Sequence, residues 1–130
     1  MSQYRAPLAD MQFVMQELAG LAEVTALPGL EDATSDTVSA ILEEADKFAT
    51  EILDPLNRVG DREGARLAGD GCVVTPTGFK DAYRRFCELG WNGLAKNPTF
   101  GGQGMPHLVA AAADEIWNAS NMAFELCPML

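Results

Sequence analysis

The sequence predicts an all-α fold: a helical bundle of about five helices with at most one short β-hairpin. Three observations carry that prediction. Apolar residues recur at steps of three and four through most of the chain, which is the period of an amphipathic helix. Capping residues stand where those runs begin, and Gly or Pro where they end. Strand-type segments are confined to Ala65-Arg66-Leu67 and Cys72-Val73-Val74, on either side of an Asp70-Gly71 turn.

The first helix opens after Ala6-Pro7, where a missing N–H costs little. Leu8, Met11, Val14, Met15 and Leu18 form its apolar stripe and Gly20 stops it. The stripe is expected to pack on the next helix or on another subunit, as core and not as a partner-binding peptide. Leu21 to Asp32 contains the turn Leu27-Pro28-Gly29-Leu30 and is expected to be a loop or a single helical turn.

The second helix is capped by Thr34 or Ser35, with Asp36 favourable to the helix dipole. Val38, Ile41, Leu42, Ala45, Phe48, Ala49, Ile52 and Leu53 mark its buried face. Pro55 is expected to end or kink it, with Leu56 holding the apolar phase for one further turn. Glu43, Asp46 and Lys47 cluster on its polar side without a His, so a solvated face is expected there and not a metal site. Asn57 to Gly71 reads as loop, followed by the small hairpin as a surface decoration. Thr75-Pro76 then reads as the cap and first position of a third helix, with Phe79, Ala82, Tyr83, Phe86 and Leu89 facing inward and Gly90 as a left-handed cap.

Gly90 to Pro106 is the longest stretch without helical periodicity. Five of its residues are Gly, two are Pro, and Trp91 and Phe100 are its aromatic anchors. It is expected to be an ordered crossing that seats a large, mostly apolar ligand or a neighbouring domain. A fourth helix follows from His107 through Trp117, thin and apolar around the Ala110 to Ala113 run. Ser120-Asn121 caps a fifth, through Met122, Phe124, Leu126, Cys127, Met129 and Leu130. Ile116, Trp117, Met122, Phe124, Leu126 and Leu130 are expected to form exposed apolar surface, and the ending Cys-Pro-Met-Leu reads as a truncation.

The net charge of −10, with no Lys or Arg after Lys96, opposes nucleic acid and anionic membrane as partners. Cys72, Cys87 and Cys127 are widely spaced and read as reduced thiols of a cytoplasmic protein. No apolar span or signal segment is present in the sequence. Gly101-Gly102-Gln103-Gly104 follows a loop and not a strand, so it does not read as a dinucleotide fingerprint. His107 lacks a nucleophile at a motif spacing. Asp114 and Glu115, adjacent on a helix, point about 100° apart and do not converge. From the residues alone no catalytic, cofactor-binding or metal site is expected in this chain.

Glu88-Leu89-Gly90-Trp91, Pro98 and Phe100-Gly101-Gly102-Gln103-Gly104-Met105-Pro106, before an Ala-rich helix with Asp114-Glu115, resemble the N-terminal helical domain of the acyl-CoA dehydrogenases. Tyr4 to Phe13 resembles the N-terminal extension of their 3-methylmercaptopropionyl-CoA dehydrogenase-like branch. The resemblance implies an extension helix and loop over 1–34 and the helical domain over 35–130, truncated at its C-terminal end. It implies an FAD-dependent enzyme for the full-length protein, α,β-dehydrogenation of an acyl-CoA substrate, electron-transfer flavoprotein as electron acceptor and a homo-oligomer. The base and the FAD contacts lie outside this chain in that family. Its contribution is one wall of the acyl pocket, over Asn121 to Pro128, with Phe124, Cys127 and Pro128 as substrate-binding candidates. The alternative is a non-catalytic all-α protein-interaction module, held together with a partner through the second helix or the last.

Overall fold

A computed structural model describes residues 4–129 of the chain. Helix α1 (Leu8–Phe13) continues as a π turn, Val14–Leu18, and Gly20 then reverses the chain at φ 69° into the single-turn α2 (Leu21–Thr25). Helix α3 (Ser35–Phe48) passes through a second π turn, Ala49–Leu53, into α4 (Asp54–Glu63). Strands β1 (Arg66–Leu67) and β2 (Val73–Val74) pair antiparallel, with Arg66 opposite Val74 and Leu67 opposite Val73. Helix α5 (Phe79–Glu88) and the Gly-rich crossover lead into α6 (His107–Met129).

The architecture is all-α, and its hairpin is the surface decoration expected, with all four strand residues exposed. α6 packs against α3, α4 and the π turn between them. Val38, Leu42, Phe48, Leu53, Phe86, Val109, Ile116 and Trp117 fill the core between these elements. The first helix docks on the second, as expected. Met11 and Met15 enter the core, while Gln12 and Gln16 bond the hydroxyls of Ser39 and Ser35. Val14 and Leu18 of the same stripe remain exposed.

Thr34 caps α3, its hydroxyl accepting the Thr37 N–H at 3.2 Å. Three expectations need correction here. The helix does not give way to a loop at Asn57: it runs on to Glu63. In the π turn the Asp54 N–H reaches Ala49 O, five residues back, and this wider turn admits Pro55 at the start of α4. Gly60, which reads as a loop residue, lies inside α4, where a Cβ would stand 2.8 Å from the Phe79 ring. The third helix starts at Phe79 behind Gly78 (φ 86°), and Thr75-Pro76 is not its cap. The approach to that helix is instead held by the Thr77 N–H donating to Glu63 at 2.7 Å.

The expected solvated face of α3 is only partly so. Glu44 and Lys47 pair in the open at 3.9 Å, but half-buried Asp46 accepts the Ala6 N–H at 2.7 Å. Asp54 likewise accepts the Tyr4 N–H at 3.2 Å, and the Thr50 hydroxyl donates to Tyr4 O. These side chains strap the N-terminal segment to the main helix.

The expected boundary at Ser120-Asn121 is present inside α6. Asn121 leaves the helical region (φ −159°, ψ 84°), and its side-chain oxygen accepts the Phe124 N–H at 3.1 Å, as an N-cap does. Its amide nitrogen donates to Leu53 O at 3.0 Å, in the π turn. One buried Asn therefore starts the last helix and pins it to the longest one.

Candidate functional site

The crossover is ordered by its own backbone. Gly90 (φ 79°) turns the chain out of α5, and Trp91–Gly93 and Pro98–Phe100 form short 3-10 turns. Its two arms then bond each other: Gln103 N–H to Gly93 O, Gly104 N–H to Lys96 O and Met105 N–H to Leu94 O, at 2.9–3.0 Å. The Gly101 and Gly102 N–H groups go to Pro98 O and Asn97 O. With these donors spent internally, the Gly-rich loop offers no cradle for a phosphate. Phe100, expected to anchor the crossover, stands 88% exposed at its tip. The Trp91 ring stands edge-on to Trp117 of α6, with centroids 5.2 Å apart.

Several hollows adjoin the crossover, one of about 550 Å³ between it and Val24, Gly29 and Leu30. An open groove of about 570 Å³ runs between α3 and α5, lined by Ile41, Phe48, Ile52, Leu89 and Trp91. A smaller cavity of about 150 Å³ lies between the crossover and α6. Trp91, Leu94, Lys96, His107, Asp114, Trp117, Glu125, Pro128 and Met129 border it.

The small cavity holds most of the unusual chemistry of the chain. Glu125 is 1% exposed, and its Oε2 has no hydrogen-bond partner in the protein. The indole nitrogens of Trp91 and Trp117 are buried and unpaired as well. Burial, then the nearby Asp114 carboxylate, pushes the Glu125 carboxyl up to about 8. Burial also raises Asp114, against the opposing pull of Lys96. Asp114 and Glu115 diverge as helix geometry requires: Asp114 borders this cavity, whereas Glu115 is exposed beside α1. His107 is exposed at the start of α6.

The three substrate-binding candidates separate. Phe124 is 3% exposed and packs against Phe79, Tyr83 and Phe86, with ring centroids at 6.4, 6.4 and 5.7 Å. Pro128 is half-buried and borders the small cavity. Cys127 is exposed, near the Tyr83 hydroxyl, which shares a hydrogen bond with the Cys87 thiol. Glu125, not singled out by the sequence reading, stands between them in the chain. Its one legible signal was an acidic residue within the apolar Phe124 to Leu130 run.

The exposed apolar surface also differs from expectation. Ile116, Trp117 and Phe124 are buried, because α6 sits inside the bundle on more than one side. Met122 and Leu126 are exposed as expected, and Leu130 lies outside the described residues. Among the described residues no helix is long and apolar enough to cross a membrane, and no group of three or more His, Cys, Asp or Glu is placed to hold a metal ion.

No protein-family model matches the chain. Over 127 residues, 98% of its length, it is 42% identical to the 3-methylmercaptopropionyl-CoA dehydrogenase of Ruegeria pomeroyi, and it covers 21% of that protein. It is 28% identical over 90 residues to the butyryl-CoA dehydrogenase of Syntrophomonas wolfei, 67% of this chain and 15% of that protein. The chain thus spans about a fifth or less of the length of these curated relatives.

Proposed function

We propose that this chain, which is homologous to the acyl-CoA dehydrogenases, is a helical portion of such an enzyme and supplies a wall of its acyl pocket. The observation that carries this reading is the 42% identity to one such dehydrogenase along nearly the whole chain. The reaction is α,β-dehydrogenation of an acyl-CoA thioester in the cytoplasm. FAD, held by other parts of the enzyme, would supply the hydride acceptor for that reaction, with electron-transfer flavoprotein as the partner. The described residues do not fit FAD, since the Gly-rich loop has turned its N–H groups inward. They also lack a catalytic constellation, so the base and the flavin site belong to other parts of the protein. The chain alone is then inactive and colourless.

Within that enzyme, the last turns of α6 form the wall. Pro128 borders the small cavity, while Phe124 is fixed by three rings of α5. Cys127 is exposed beside Tyr83 and would meet substrate only from that side. The test is the complete enzyme, as an oligomer with bound flavin, assayed for acceptor reduction with acyl-CoAs of increasing length. Activity with none of them would overturn the reading. Phe124→Ala then tests the wall. It is expected to lower stability by about 3–5 kcal/mol and to raise kcat/KM for longer chains relative to shorter ones, since each buried methylene is worth about 0.8 kcal/mol. A lower Tm with an unchanged chain-length profile would remove Phe124 from the wall.

A further inference from the structure

Two of the three cysteines meet at one side chain. Tyr83 of α5 shares a hydrogen bond with the Cys87 thiol, one turn further along the same helix, and Cys127 of α6 lies close enough to act on the same phenol. The contact between the two helices explains the meeting. The Tyr83 ring stands 6.4 Å from that of Phe124. Cys87 follows Tyr83 by four residues and Cys127 follows Phe124 by three, the spacings that return a side chain to the same helical face. Cys127 is exposed, Cys87 half-buried and Tyr83 40% exposed, so a small reagent reaches the cluster from solvent. Cys72 sits apart in the hairpin turn, its N–H held by Asp70. We propose that Cys87 and Cys127 form a reversible disulfide, a thiol redox site that clamps the last segment of α6 to the end of α5.

The ends of the helices give the freedom that the bond requires. A disulfide needs the two Cβ atoms about 3.5–4.5 Å apart. Cys87 stands in the last turn of α5 and Cys127 in the last turn of α6, where helices fray readily. The inner side of each helix is fixed by the rings of Phe86 and Phe124, in contact at 5.7 Å, so the two ends can approach without disturbing the core. The neighbouring thiols, Cys87 first, raise the Tyr83 phenol above its ordinary value. It therefore keeps its proton beside a thiolate, and its O–H can donate to Cys87 until the bond forms.

The oxidant is a small disulfide, RSSR. The exposed Cys127, as thiolate, attacks one of its sulfurs, forming a mixed disulfide and expelling RS⁻. The Cys87 thiolate then attacks the Cys127 sulfur and expels the second RS⁻. Two electrons pass from the two protein thiols to RSSR, and the two protons they release leave on two molecules of RSH. Excess dithiol runs the same steps backward. The site does not rest on the acyl-pocket reading, although the segment it clamps is the wall proposed there.

The test treats the reduced chain with glutathione disulfide, blocks the remaining thiols and digests with trypsin. The enzyme leaves Cys72, Cys87 and Cys127 on separate peptides, 67–80, 86–96 and 97–130. A linked pair of 86–96 with 97–130, at the intact mass of a single chain, is expected as the main product. Cys72 should end as a free thiol or a glutathione adduct. The melting temperature should rise by roughly 5–10 °C on oxidation and fall back with dithiothreitol. Cys127→Ser, a change at the surface, should show neither the link nor the rise. In urea, where the fold no longer brings the two thiols together, the same treatment should give no preference for this pair. Glutathione on Cys87 and Cys127 without a link would overturn the clamp. So would a link through Cys72 or between two chains, or the same products in urea as in buffer.

Discussion

Glu125 carries the strongest residue-level consequence. Its carboxyl ionises near 8 in the folded chain against an ordinary 4.5, because burial and Asp114 both disfavour the charge. Between those two values the folded state keeps a proton that the unfolded chain releases. Stability therefore falls as pH rises from about 4.5 to 8 and then levels. Below 4.5 both states are protonated and the residue costs nothing in ionisation. Asp114, also raised by burial, makes stability fall with rising pH in the same sense, while Lys96 opposes it. Glu125→Gln removes the titration and keeps the shape. Its melting temperature should match the parent near pH 5 and exceed it at pH 9, with a stability difference of roughly 3–5 kcal/mol. Parallel melting curves across that range would show that Glu125 finds a partner on ionising. The cavity itself was hidden in the sequence. Trp91 reads as an anchor and Trp117 as exposed apolar surface, and nothing in their spacing says that both nitrogens end buried and unpaired.

At the scale of elements, two adjacent glycines show what pins the crossover. A Cβ on Gly102 would lie 2.1 Å from Lys96 O, the carbonyl that accepts the Gly104 N–H. Gly101 has φ 85° and nothing within 4 Å of an added Cβ. Gly101→Ala therefore meets only conformational strain, about 1–2 kcal/mol. Gly102→Ala has to push the two arms apart, breaking bonds as well as overpacking, and should cost more than about 3 kcal/mol. Thermal melts with hydrogen exchange at Gln103, Gly104 and Met105 check this: exchange should accelerate at all three in Gly102→Ala only. Equal losses in the two variants would mean the arms are not what holds the loop. The elements that were legible in sequence are those fixed by local chemistry. Thr34 and Asn121 cap through their own side chains, and the Asp70-Gly71 turn pairs its flanking residues. The continuation of α4 was not legible, since Pro55 and Gly60 both carry breaker chemistry. Each is tolerated for a reason made elsewhere, in the π turn before Pro55 and in the Phe79 ring beside Gly60.

At the scale of the whole molecule, the last segment of α6 leaves an ordered apolar stripe uncovered. Met122, Leu126 and Met129 are 62%, 47% and 52% exposed. They stand at i, i+4 and i+7 of the capped last segment of α6, one face of a helix. The rest of that segment is held rigidly, because Phe124 and Glu125 are buried and Asn121 is bonded to Leu53. The stripe therefore cannot turn inward without breaking the cap. A net charge of −10 resists association, but no acidic side chain lies on the stripe itself to keep a second apolar surface away. Burial of such a face gives about 25 cal/mol per Å², enough for weak pairing of two copies at high concentration. Sedimentation should accordingly show the chain moving from monomer to larger species as concentration rises. Met122→Glu with Leu126→Glu should abolish this without lowering the melting temperature, because both side chains are already in solvent. A parent chain that stays monomeric at the highest concentrations would show that the stripe drives no association. A variant that loses both association and stability would place these residues in the fold, contrary to their exposure.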